Sequence, residues 1–291
     1  MRRMVAVEWY KIRRRRLNWV ALWVLCAVMV AIYVLLWAAT GAVEQVLTNE
    51  EHAGLPELRS ALFLEETVPF ALNILQAFGI MAGIVVIGAN IGSEYSWNTV
   101  RTLSAAYPRR WSWLLAKVTA LGAAIVVGLL VALAVSVLTS AAITLLDGNF
   151  SLAFVSGGFL LHSFYSFLRL LVAGSPYFAL TLFAGVWGGS ATAGIAAGVG
   201  VLFLESIISG LMTLAGGWVH EVPDLLLDRN ADTLAIEAGG SLQTLLEASP
   251  FADIVRFPDP VQAGLVLTAW ALAFSVLAFV LFERQDLGYR A

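Results

Sequence analysis

Apolar residues fill six long runs of this chain, and the stretches between them carry polar and apolar positions at helical spacing. The runs lie near Leu17–Ala39, Val68–Ile91, Trp113–Leu146, Phe167–Gly188, Ala191–Ala215 and Val261–Phe282. A helix needs about 20 residues to cross a bilayer, so each run is long enough. The third is long enough to tilt or to project beyond the bilayer. No charge interrupts the first, second or sixth. The pattern predicts an all-α membrane protein of six transmembrane helices in a single domain covering residues 1–291. A seventh apolar stretch, Phe150–Leu168, is broken by Gly157, Gly158, His162, Ser163 and Ser166. It is expected as an interfacial or re-entrant lead-in to the fourth span.

Three shorter segments have one-sided patterns. In Met1–Arg16, residues Met1, Val5, Trp9 and Ile12 share one helical face among seven basic residues, Arg2, Arg3, Lys11 and Arg13–Arg16. Such a helix lies in the membrane interface with its arginines toward anionic headgroups. A plain topogenic charge cluster reads equally well. Ala42–Thr67 is acidic and places Leu55, Leu58 and Leu62 at helical spacing. Trp218–Pro260 carries Leu225–Leu227 and Leu242, Leu245 and Leu246 between Pro223, Gly239, Gly240 and Pro250. Both are expected to form short amphipathic helices, either as a lid over the outer mouth or as ordinary packing on the bundle.

Composition agrees with the hydropathy pattern. The chain is 60% hydrophobic and 13% charged, with a mean hydropathy of +0.84, where a soluble domain carries about 25% charged residues. The apolar run near the N-terminus exceeds the 7–15 residues of a secretory signal, so the first span is expected to be retained. The lone Cys26 excludes a disulfide framework and thiolate metal sites, and His52, His162 and His220 are too scattered for a metal or haem. No cofactor is expected in this chain, and no nucleic-acid partner.

Sidedness follows from the basic residues. With both termini on one side, that side collects Arg2, Arg3, Lys11, Arg13–Arg16, Arg101, Arg109, Arg110, Lys117, Arg284 and Arg290, which is 13 of the 17 basic residues. The other side receives 15 of the 20 acidic residues. Both termini are therefore expected in the cytoplasm.

That places the segment from Glu94 to Lys117 in the cytoplasm as well. Glu94 suits a helix N-terminus, where it meets the positive end of the dipole. Trp97, Val100 and Leu103 follow at helical spacing, and Pro108 ends the helix. Arg109, Arg110, Trp111 and Trp113 mark the return to the membrane surface. The segment reads as a rigid lever with an apolar face.

The ordered set Glu94, Asn98-Thr99, Leu103, Arg109-Arg110 and Lys117 resembles the permease subunits of the ABC type-2 exporters. Glu8-Trp9-Tyr10-Lys11 before an arginine cluster looks like that family's elbow helix, and Phe282–Leu287 like its tail. Asn98 stands where the family has Gly. The resemblance implies that Glu94–Ser104 is a coupling helix for a separate ATPase, with Glu94, Tyr95, Trp97, Thr99, Val100, Arg101 and Leu103 as coupling residues. It implies two permease chains, identical or related, with two ATPases that bind ATP and Mg, in the cytoplasmic membrane of a prokaryote. No Gly-x-x-x-x-Gly-Lys-Ser/Thr loop occurs here, so ATP hydrolysis is not expected in this chain.

Polar residues within the spans are candidate pathway groups: Asn73, Gln76 and Asn90 in the second, Arg169 in the fourth and Glu205 in the fifth. An unpaired charge at membrane depth costs at least about 2.5 kcal/mol, so Arg169 and Glu205 should face the interior or each other. Gly79-x-x-x-Gly83, Gly88-x-x-x-Gly92 and Gly194-x-x-x-Gly198 allow close helix approach, within one chain or across a dimer seam. Pro176 should kink the fourth span. The leading expectation is an exporter subunit for an amphiphilic drug, peptide or lipid-like molecule. An ion- or proton-coupled carrier using Glu205 is the first rival. It is weakened by the absence of an evident inverted repeat. A membrane enzyme lacks clustered carboxylates or histidines, and a signalling or assembly subunit on the same fold remains open.

Overall fold

A computed structural model describes residues 1–44, 55–97, 110–148, 150–151, 153–215, 217–236 and 257–285. It is almost entirely helical, with no strand among the described residues. Helix α1 covers Arg2–Arg14, α2 Arg16–Glu44, α3 Leu55–Ser60, α4 Thr67–Ser96, α5 Arg110–Leu146, α6 Gly157–Gly188, α7 Ala191–Ala215, α8 Leu227–Ile236 and α9 Pro260–Arg284. Six of these (α2, α4, α5, α6, α7 and α9) are long and apolar enough to cross a membrane. Large apolar side chains such as Trp23, Leu35, Leu138, Leu204 and Leu272 stand exposed on their outer faces. In water that surface would drive aggregation; in lipid it costs nothing. The chain has the character of a multi-pass membrane protein.

The expected span boundaries grow outward by a few residues, and one expectation changes. Phe150–Leu168 is no separate re-entrant element: from Gly157 onward it is the first turns of α6, a continuous 32-residue helix. Ser156 caps α6, accepting a hydrogen bond from Phe159 N–H at 3.2 Å, and Gly157 and Gly158 sit in its first turn, where glycine costs little. Pro176 lies inside α6 without ending it. A proline leaves the carbonyl four residues earlier without its donor; here Ser175 Oγ donates to Val172 O at 2.8 Å instead. α6 ends at Gly189, whose φ of +58° suits glycine. Ser190 then caps α7 by accepting from Ala193 N–H at 3.1 Å.

The glycine motifs work inside this one chain. A Cβ on Gly92 would fall on the backbone of Ala191, and one on Gly88 would lie 2.6 Å from Ile195. A Cβ on Gly194 would lie 2.9 Å from Thr181 O, and one on Gly198 2.7 Å from Ile84. These positions let α4, α6 and α7 pack backbone to backbone, which is where membrane helices gain van der Waals energy.

The bundle has two unlike ends. At the near end α1, the last turns of α4 and α9, the first turns of α5 and the α6–α7 turn meet. At the far end residues 59–62 pack down on the bundle. Leu62 is fully buried with Tyr33, Phe70 and Ile143, Ser140 Oγ donates to Leu62 O at 2.7 Å, and Arg59 pairs with Asp147 at 3.1 Å. The segment after α7 also turns inward. A 3-10 stretch, Gly217–Leu225, leads into α8, which packs on α6, α7 and α9. Glu205 receives the first N–H of α8, that of Leu227. Glu205 is ten residues from the end of α7, so α8 begins about 15 Å inside the bundle. Irregular backbone survives at such depth only where protein satisfies it. Asn230 Nδ2 does so by donating to Asp224 O at 2.9 Å and to Leu226 O at 2.5 Å.

Candidate functional site

The near end is built on buried charge. Lys117 Nζ lies 2.6 Å from Glu94 Oε1 and 3.5 Å from Glu8 Oε2. Lys11 Nζ lies 2.7 Å from Glu8 Oε1 and 3.9 Å from Glu94 Oε1. Glu8, Glu94 and Lys117 are each less than 8% exposed. Among the described residues, two carboxylates thus meet two ammonium groups, and the buried charges are paired, as burial requires. Lys117 also sits 5.4 Å over the Trp113 ring, which stacks on Phe282 at 5.5 Å. One knot thereby joins α1, α4, α5 and α9.

Arg15 forms a second knot. Its backbone is extended and separates α1 from α2. Its guanidinium donates to Asn90 Oδ1 at 2.8 Å, to Ala89 O at 3.3 Å and to Ser93 Oγ, and it lies 4.9 Å over the Trp97 ring. Asn18 Nδ2 donates to Ile12 O and Trp19 Nε1 to Arg13 O, both at 2.8 Å. These bonds satisfy the carbonyls that end α1.

These contacts relocate several expected residues. α4 runs on through Glu94 to Ser96, so Glu94 closes the second span from inside it and starts no new helix. Tyr95 Oη donates to Gln285 Oε1 at 3.1 Å, and Gln285 Nε2 to Val186 O at 2.7 Å, which ties α4 to α9 and α6. Trp97 is 67% exposed. Thr99, Val100, Arg101 and Leu103 lie outside the described residues, as does the tail beyond Gln285. Asn90 is 3% exposed and bonded to Arg15, Asn18 and Val86 O. It holds the near end together and lies away from the cavity below.

The far end contains that cavity, about 480 Å³, between α4, α6, α7 and α8. Asn73, Gln76, Tyr177, Ser206, Asp228 and Asp232 supply its polar lining, and Phe78, Met81, Phe203 and Phe257 much of its apolar wall. A π-helical turn at Leu75–Gly79 shapes the α4 side. Such turns interrupt the α-helical register and recur at functional sites. Gln76 Nε2 donates to Asp232 Oδ1 at 3.1 Å, and the Ser206 side chain bonds Asp228. Asp232 is exposed where it opens onto the cavity, while protein crowds its other sides. Burial and then the neighbouring Asp228 carboxylate push it up to about 7, against the Gln76 hydrogen bond and the Arg229 charge. Burial also raises Asp228, while Ser206 and Arg229 lower it.

Asn73 and Gln76 thus line a cavity together, as a pathway reading requires. The expected encounter of Glu205 with Arg169 does not occur. Glu205 Oε1 accepts from Leu227 N–H at the start of α8, where a carboxylate suits the helix dipole, and its Oε2 is buried without a hydrogen-bond partner. Asp228, Asp232 and Arg229 were invisible as a site in the sequence. They sit in the outer segment expected to form short amphipathic helices, where no pattern singled them out. No group of metal-ligating residues occurs among the described residues. Comparison with known protein families and with curated proteins finds no match.

Proposed function

We propose that this chain is the membrane-spanning subunit of an ATP-binding-cassette exporter. It would move an amphiphilic substrate outward with ATP hydrolysed by a separate subunit. One observation carries the reading. Glu94 and Lys117, which bracket the segment between the second and third spans, form a buried ion pair. A force applied to that segment would therefore enter α4 and α5 as one body, and α1 with them through Glu8. In this reading the near end faces the cytoplasm of a prokaryote. Residues 94–104 dock on the ATPase through Trp97, Val100 and Leu103, and a second permease chain completes the unit. This chain performs no covalent chemistry.

The test is co-purification. Replacing Trp97, Val100 and Leu103 by Asp should abolish recovery of an ATPase partner while the chain stays monodisperse. Undiminished recovery with normal ATPase coupling would sink the proposal. A second reading, a cation- or proton-coupled carrier, draws on the carboxylates Asp228 and Asp232 in the cavity wall and on Glu205 at the start of α8. Transport by the purified chain alone in liposomes, driven only by an ion gradient, would favour it.

A further inference from the structure

The far-end cavity has walls of one character and a charge of one sign. Two carboxylates, Asp228 and Asp232, line it, and no basic side chain does among the described residues. Arg229 is already engaged, 3.1 Å from Asp224 Oδ1 and bonded to Thr213 Oγ1. Among the described residues no cation lies within ion-pair distance of Asp228, Asp232 or Glu205. Behind this wall, and not lining the cavity, the buried Glu205 holds the first turn of α8 through the Leu227 N–H. Among the described residues the two cavity carboxylates therefore have no ion-pair partner.

We infer that this cavity is a binding site for a lipophilic organic cation. Asp228 and Asp232 would take its charge, and the rings of Phe78, Phe203, Tyr177 and Phe257 its apolar body. Three features fit that class together. The volume, about 480 Å³, lies within the range for drug-sized ligands. The lining is mainly apolar, so a bare metal ion or a sugar would lose hydration without adequate replacement. Aromatic faces attract organic cations and repel anions. Asp228 and Asp232 stand one turn apart on α8, and Gln76 and Ser206 hold one oxygen of each, so the carboxylates are pre-set rather than free to swing. Binding here needs no ATPase. The inference names the substrate class for the export reading, and only the later release of the cation rests on that reading.

The experiment is equilibrium binding of tritiated tetraphenylphosphonium to the purified full-length chain in detergent. The native chain should bind it saturably. The D228N/D232N double variant should bind at least about tenfold more weakly, D232N alone several-fold more weakly, and F203A also more weakly. E221Q, which removes an exposed carboxylate away from the cavity wall, should bind as the native chain does. Should the double variant fail to fold, D232N decides, because Asp232 opens onto the cavity and its replacement buries nothing new. Absence of saturable binding would overturn the inference, as would unchanged affinity in D232N or an equal loss in E221Q. None of these outcomes depends on whether an ATPase co-purifies, so the two proposals fail separately.

Discussion

The near-end knot and the far-end cavity both hold charge inside an apolar bundle, and they resolve it in opposite ways. Glu8 and Glu94 meet Lys11 and Lys117, whereas among the described residues no cation lies within ion-pair distance of Asp228 or Asp232. A paired cluster with a buried centre resists change, because removing Lys117 leaves two buried carboxylates close together. An unbalanced cluster beside a cavity tolerates removal of a charge, and its electrostatics are completed from outside. The contrast separates a joint from a receptor.

The largest test strikes the joint. Lys117→Met leaves Glu94 and Glu8 facing each other in the interior and should cost about 3–5 kcal/mol, seen as a lower unfolding midpoint in detergent. Adding Glu94→Gln should restore most of it, since Glu8 keeps Lys11. A cost below about 1 kcal/mol would mean that the near end is no dry joint. Gly92→Ala should cost about 1–3 kcal/mol, because its methyl group would fall on the backbone of Ala191; an unchanged midpoint would show that α4 and α7 do not touch there.

The receptor end should answer with a pH slope instead. Asp232 titrates near 7 in the folded chain against an ordinary 3.8. Between about pH 4 and 7 the folded state then holds the proton that the unfolded state has lost, so stability falls as pH rises through that window. Asp232→Asn should flatten this part of the profile and make the chain relatively more stable at pH 8. Parallel native and variant profiles would remove the claim that Asp232 is crowded by protein and by Asp228. The smallest effect belongs to Gln76→Ala, which removes one hydrogen bond at an open surface. It should cost at most about 1 kcal/mol and move the Asp232 titration still higher, a shift that carboxylate NMR would register.

Much of the architecture was legible because lipid imposes a length and a composition on any helix that crosses it. The six spans are therefore visible as six apolar runs. Their extensions were not, because α6 begins at Gly157 through a Ser156 cap and tolerates glycines in its first turn, whereas hydropathy alone reads Gly157 and Gly158 as an interruption. Glu94 and Lys117 were singled out for their order in a pattern. Their direct contact, with Glu8 over a hundred residues from Lys117, is a property of helix packing that no local period encodes. Asn90 and Gln76 look alike in sequence, as amides on one span; one is buried by Arg15 and the other opens onto the cavity.

By itself the sequence determined six apolar spans, an unequal distribution of basic residues and a set of glycines spaced for close helix approach. Those are one-dimensional properties, set by hydropathy, charge and period. Only the tertiary structure decided which charges cancel and which do not. Pairing depends on distances between helices, and the inward turn of Leu227–Ile236 brings Asp228 and Asp232 beside Gln76 from a stretch outside the six spans. A charge in an apolar bundle acquires its meaning from what stands within about 4 Å of it.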